Sequence, residues 1–114
     1  MPNVFKIIDQ AGFDAIAAEG KFRGAAIDFR DGFIHLSTAA QAKETARLHF
    51  AGKTDLVIFA VDATALDDRL KWEASRGGQL FPHVYGTIAP SEILWSKPLP
   101  WNGQAHEFPA EVFA

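Results

Sequence analysis

The 114-residue sequence contains no cysteine. That absence removes a disulfide framework, a thiolate nucleophile and any Cys-type zinc site. Chemistry is left to His, carboxylate, hydroxyl and Tyr groups, and the sequence holds only four His and one Tyr. Long hydrophobic runs are missing too. The longest, residues 56–61, falls far short of the roughly 20 residues that span a bilayer. The N-terminus also lacks a basic stretch followed by an apolar one. A soluble, cytoplasmic protein without a membrane partner is the expectation. Nor is there an excess of positive charge. Eleven basic residues face fourteen acidic ones, for a formal net charge of -3, and the Lys and Arg are scattered. This argues against a nucleic-acid partner.

Several signatures are absent as well. No G-x-G-x-x-G or Walker loop prepares a phosphate site. The four His show no H-x-x-x-H or H-E-x-x-H spacing, so no metal site is expected. A Ser nucleophile lacks its G-x-S-x-G turn, and His35 lies about 7 Å from Ser37 along the same strand. There is no internal repeat, low-complexity tract or linker.

What is present suits one domain, residues 1–114, because 48% of the chain is hydrophobic and the length allows one core. Val4-Phe5-Lys6-Ile7-Ile8 reads as a first strand, followed by a helix capped by Asp9, running to about Glu19 and closed by Gly20. Asp31-Gly32 marks a turn. Residues 33–37 read as a strand that passes directly into a helix, for Thr38 and Gln41 have capping-box spacing, and either Ser37 or Thr38 can cap it. That helix continues through Ala42, Ala46 and Phe50 to Gly52.

Residues 55–62 are almost wholly apolar, as in a central strand buried on both faces. After a short turn or helix over 63–69, residues 70–74 alternate, with Leu70 and Trp72 on one side and Lys71 and Glu73 on the other. Gly77-Gly78 interrupts the pattern. A strand ending at His83-Val84-Tyr85, a further piece at Ile93-Leu94-Trp95 and an Asn102-Gly103 turn suited to a tight hairpin complete an α+β order.

Residues two apart in a strand share a face, so Ile34 and Leu36 point inward while His35 and Ser37 project together. The same arithmetic pairs His83 with Tyr85, opposite Val84, and sets Glu73 opposite Trp72. His35 and Ser37 thus read either as a site pair or as a hydrogen-bonded pair at a helix start. Tyr85 reads as a ligand contact or as an anchored core ring. Trp72, Trp95 and Trp101 read as packing residues, since no basic stripe accompanies them.

Gly32-Phe33-Ile34-His35-Leu36-Ser37 and Phe81-Pro82-His83-Val84-Tyr85-Gly86, with Trp72-Glu73 between them and Gln41 in the helix, resemble a bacterial family known as domain of unknown function 952. The likeness runs from Val4 to Pro109. It implies a fold similar to the ADP-ribosyltransferase superfamily, with a split mixed or antiparallel sheet and flanking helices around a dinucleotide cleft. His35-Leu36-Ser37 is similar to the H-G-[ST] strand of those enzymes, with Leu36 in place of Gly. The resemblance implies ligand-binding roles for His35, Leu36, Ser37, Gln41 and Tyr85, the last as a ring stacked on nicotinamide. It implies a catalytic role for Glu73 or His83 beside a ribosyl cation.

The expected activity is transfer or hydrolysis at the N-glycosidic bond of NAD or a related nucleotide, with NAD as substrate and no cofactor required. The alternative is a non-catalytic module that binds a nucleotide, a small metabolite or a peptide. A monomer is expected.

Overall fold

The first strand forms because four β-branched or aromatic residues, Val4, Phe5, Ile7 and Ile8, flank a single cation, Lys6. In the computed structural model, which describes residues 3–114 apart from the side chain of Arg76, this is β1 (Asn3–Asp9). Asp9 then accepts a hydrogen bond from the Gly12 N–H and caps α1 (Gln10–Glu19), which Gly20 closes in the left-handed region. A short helix, α2 (Ala26–Asp31), precedes β2 (Ile34–His35). After these come α3 (Ala39–His49), β3 (Leu56–Asp62), α4 (Ala63–Leu66) and β4 (Leu70–Ala74). β5 (Leu80–Val84) and β6 (Ile93–Pro98) complete the sheets. Among the described residues, no helix is long and apolar enough to cross a membrane.

The six strands form two three-stranded sheets, in the orders β1-β3-β6 and β2-β5-β4, and every pairing is antiparallel. Alternation along β1 and β3 divides the core into two layers. Val4, Ile8, Phe59 and Val61 face the second sheet and pack with Ile34, Leu36, Val84 and Ile88. Phe5, Ile7, Ile58 and Ala60 pack on the opposite face against Ala46 of α3, Leu99 and Val112. β3 is therefore buried on both faces, as its unbroken apolar run predicts.

The two sheets meet at one seam. Past His35 the chain leaves β5, with Leu36 N–H donating to the Pro82 carbonyl, and crosses to β1. There Phe5 N–H donates to the Ser37 carbonyl at 2.8 Å and Ser37 N–H to the Phe5 carbonyl at 2.9 Å. The strand expected over residues 33–37 is thus shared between sheets, and only Ile34 and His35 stay on the ladder with β5. α2 has no counterpart among the elements expected from the sequence. It is six residues long and leaves Ile27 and Phe29 exposed, so no apolar stripe marks it. The Asn102-Gly103 turn exists, with Asn102 N–H on the Ala105 carbonyl, but the expected hairpin reduces to one bridge between Trp101 and His106.

Thr38, not Ser37, caps α3. Its hydroxyl accepts from Gln41 N–H while the Gln41 side-chain oxygen accepts from Thr38 N–H, a reciprocal pair. Thr38→Ala is expected to lower unfolding stability by about 1 kcal/mol in urea titrations. Ser37→Ala leaves the cap whole and is expected to cost less. The reverse ranking would move the start of the helix.

Candidate functional site

Lys6 sits between Val4 and Ile8 on the inward face of β1, where a cation is out of place unless it is paired. Its ammonium lies 3.1 and 2.9 Å from the two Asp28 oxygens and donates to the His35 carbonyl at 2.9 Å. Asp28, only 2% exposed, also accepts from Ala25 N–H at 2.8 Å, from His35 N–H at 3.1 Å and from the His35 ring Nδ1 at 2.7 Å. One carboxylate therefore ties β1, α2 and β2 together. Gly24 makes room for it, because a Cβ there would stand 2.8 Å from the Asp28 Cβ in a backbone with φ of +135°.

Burial pulls Lys6 below its ordinary value against the opposing attraction of Asp28. For Asp28 burial pushes upward, but the charge of Lys6 and the hydrogen bonds from Ala25, Lys6 and His35 outweigh it and hold the carboxyl low. The convergence of Lys6, the Ala25 and His35 backbone N–H groups and the His35 ring on the Asp28 oxygens favours its carboxylate form.

The second imidazole stands directly across the ladder. His35 and His83 are register partners on β2 and β5, with ring centroids 5.4 Å apart. His83 is buried, and its Nδ1 lies 2.8 Å from Glu73 of β4. The same Glu73 oxygen accepts from the Tyr85 hydroxyl at 2.8 Å. Hydrogen bonds from His83, and next from Tyr85, hold the Glu73 carboxyl below its usual range, and Glu73 in turn raises the Tyr85 phenol. Phe33 packs over these rings, 4.1 Å from His83, 4.6 Å from His35 and 5.3 Å from Tyr85.

A cleft of about 620 Å³ opens beside the seam, and His35, Ser37, Phe81 and His83 lie in its wall. Lys6, Arg30 and Lys53 line it as well, against a single lining carboxylate, Asp31, whose Oδ2 is 3.0 Å from His35 Nε2. With Lys6 paired to Asp28 behind the wall and Arg30 to Asp31, the local excess is one positive charge, that of Lys53, in a chain of net charge -3. A larger cleft of about 1040 Å³ adjoins it along α1 and shares Lys6, Ile27 and Lys53. It contains none of the residues singled out from the sequence, so the smaller cleft is the candidate site.

Comparison with known proteins agrees on this architecture. The model of a family described as "Protein of unknown function (DUF952)" matches residues 7–96. The chain belongs to the DUF952 family. A crystal structure of protein CC0527 from Caulobacter crescentus is 42% identical, covers 98% of this chain and 99% of its own, and superposes with a TM-score of 0.93. The solution NMR structure of CC0527 is 43% identical over 97% and 96% of the two chains, with a TM-score of 0.85. No curated protein matches.

Within this DUF952 protein the residues expected from the sequence divide into three groups. His35, Ser37 and His83 share the cleft wall. Ser37 Oγ is also 3.0 Å from Thr45 Oγ1 on α3. Glu73 and Tyr85 are outside the lining residues and reach the cleft only through His83. The Leu36 side chain is in the core, and Gln41 spends its amide on the α3 cap and on the Leu80 carbonyl. Sequence reasoning missed Lys6, Asp28 and Asp31. Of these, Lys6 carried a signal, a lone cation on the inward period of an apolar strand; for Asp28 only the contact with Ala25 N–H is local, and its Lys6 and His35 partners are 22 and 7 residues away.

Removing the negative charge alone leaves Lys6 buried without a counterion. Asp28→Asn is therefore expected to destabilise the fold by about 3–5 kcal/mol in urea unfolding. The pH dependence has a definite sign. The folded Asp28 value lies below the unfolded one, so the stabilisation is complete above about pH 4 and is lost as pH falls through the lowered folded value. The variant should show a correspondingly weaker acid dependence, and an unchanged acid limb would remove Asp28 from this role.

Proposed function

We propose that the cleft binds NAD or a related nucleotide and that the N-glycosidic bond of that ligand is broken there, by transfer or by hydrolysis, in a fold akin to the ADP-ribosyltransferases. The observation that carries the reading is the meeting of His35, Ser37 and His83 on one cleft wall at the seam of two sheets. That is where the comparable His-x-Ser strand of those enzymes meets its ligand, and the argument from fold is analogy. The excess of positive charge in the wall suits a ligand that carries phosphates.

In this reading His35 holds the ribose, and Asp31, the one carboxylate among the lining residues, faces the positive charge that develops as the base departs. Nicotinamide leaves as a neutral molecule with the electron pair of the broken bond and needs no proton. The acceptor, water or a hydroxyl, forms the new bond to the same ribose carbon. Its proton passes to His83 at Nε2, since Nδ1 is engaged by Glu73. Glu73 is then a positioning residue that fixes the ring, and Tyr85 steadies Glu73. No resident cofactor or metal enters these steps.

One observation favours a second reading, a binding module without catalysis. Leu36 N–H is spent on Pro82, and both backbone groups of Ser37 are spent on Phe5. The backbone N–H groups at 36 and 37 are therefore not free to clamp a nicotinamide amide.

The test is nicotinamide release from NAD together with binding isotherms for NAD and ADP-ribose. The enzyme reading expects Glu73→Gln to lower kcat by about 10²-fold with affinity nearly intact, the scale of losing one preorganised electrostatic group. His35→Ala should weaken binding instead. Binding with release at background overturns catalysis and leaves the module; no binding of either ligand overturns both.

A further inference from the structure

We infer that His35 and His83 form a general acid–base pair for a phosphate diester, and that small ribonucleotides with a 2′,3′-cyclic phosphate are substrates of this cleft. This goes beyond cleavage of an N-glycosidic bond. It rests on three observations. The first is that the imidazoles are register partners on adjacent antiparallel strands, so their separation is fixed by the ladder. With centroids 5.4 Å apart and an interplanar angle of 69°, the rings meet edge to face, so a single phosphate on the cleft side of the pair can take one hydrogen bond of about 2.6–3.2 Å from each.

The second is that both rings are oriented in the same way. Asp28 takes Nδ1 of His35 at 2.7 Å and Glu73 takes Nδ1 of His83 at 2.8 Å. Each carboxylate fixes the ring plane at Nδ1, which is how a carboxylate serves a catalytic imidazole elsewhere, and Nε2 is then the working atom, reached on His35 by Asp31 at 3.0 Å.

The third is the sign of the field. Phosphoryl transfer spreads negative charge over the phosphate oxygens. Of the three cations in the cleft wall, Lys6 pairs with Asp28 and Arg30 with Asp31, which leaves Lys53 as the one without a carboxylate partner among the described residues. A wall of this sign stabilises a developing anion. The cleft, at about 620 Å³, is the size of a mononucleotide site and not of a polymer track.

The geometry also separates the roles. Both ring nitrogens of His35 meet carboxylate oxygens, whereas His83 meets a carboxylate at Nδ1 alone. His35 is thus the proton donor and His83 the acceptor. Water loses a proton to His83 as its oxygen bonds to phosphorus. The bond from phosphorus to one ribose oxygen breaks, and that oxygen takes the proton from His35. The product is a ribonucleoside monophosphate, and solvent exchange restores both rings. Asp31 must leave His35 Nε2 for this step. It is partly exposed at the end of α2 and already pairs with the Arg30 guanidinium at 3.0 Å, which receives it.

The experiment follows adenosine 2′,3′-cyclic monophosphate by phosphorus NMR in the presence of a metal chelator. The parent is expected to open the ring to the monoester, and His35→Ala and His83→Ala are each expected to slow it by about 100-fold or more. Because His83 is buried, Glu73→Gln serves as a second variant. It leaves the imidazole in place and should lower kcat with KM nearly unchanged, which a merely structural effect would not do. Parent turnover at the buffer background overturns the proposal, as does turnover that survives loss of both imidazoles. Neither result bears on nicotinamide release, so the two activities stand or fall separately.

Discussion

One buried carboxylate organises this molecule. Asp28 belongs to a helix too short to hold itself together, and it compensates by receiving hydrogen bonds from β1, from the chain before α2 and from β2 at once. Taking Lys6 and Asp28 out of water costs several kcal/mol for each ion, which their attraction repays only with good geometry and satisfied hydrogen bonds. The ammonium finds Asp28 and the His35 carbonyl, and among the described residues no buried side-chain polar atom is left without a partner. An apolar pair of similar volume would fill the same space, so the ions are better understood through what they position. The group so positioned is the His35 ring, held at Nδ1 by the carboxylate that also anchors α2.

The seam between the sheets has a similar double character. Phe5 and Ser37 exchange both backbone hydrogen bonds, which joins β1 to the end of β2 and brings the polar face of β2 beside the cleft. The antiparallel ladder then fixes what stands opposite His35, and that residue is His83. Pairing of β4 with β5 adds Glu73 on the same face, two positions from Lys71, the register partner of His83. A face built from three strands is stiffer than any loop, and rigid support is what orientation-dependent proton transfer requires. The same pairing withdraws the backbone N–H groups of residues 36 and 37 from ligands, so recognition falls to side chains and to the electrostatic field of the wall.

Local pattern was enough for much of this. β-Branched and aromatic content identified β1, and period-2 alternation identified β4 and the inward positions Ile34 and Leu36; the nearly unbroken apolar run over residues 55–62 identified the doubly buried strand β3. Capping chemistry located the starts of α1 and α3, because a cap is satisfied within four residues of chain. Faces were legible for the same reason, and His35 with Ser37, or His83 with Tyr85, follow from strand geometry alone. α2 was not legible. Its ends are capped locally, by Asp28 on the Ala25 N–H and by Gly32, but what anchors it is the Asp28 bond to Lys6 across 22 residues, which no short window of sequence contains.

By itself, then, the sequence determined composition, charge, the identity and faces of most elements, and which polar side chains stand together on a single strand. Those are properties of neighbours along the chain, fixed by backbone periodicity and by hydrogen bonds that close locally. Only the tertiary structure decided that His35 and His83 are register partners, that Glu73 stands behind His83, that Asp28 and Lys6 form a buried pair, and that the Gln41 amide reaches the Leu80 carbonyl and not the cleft. Strand register and ion pairing between distant segments depend on which surfaces exclude water together, and that choice is made by the folded chain as a whole.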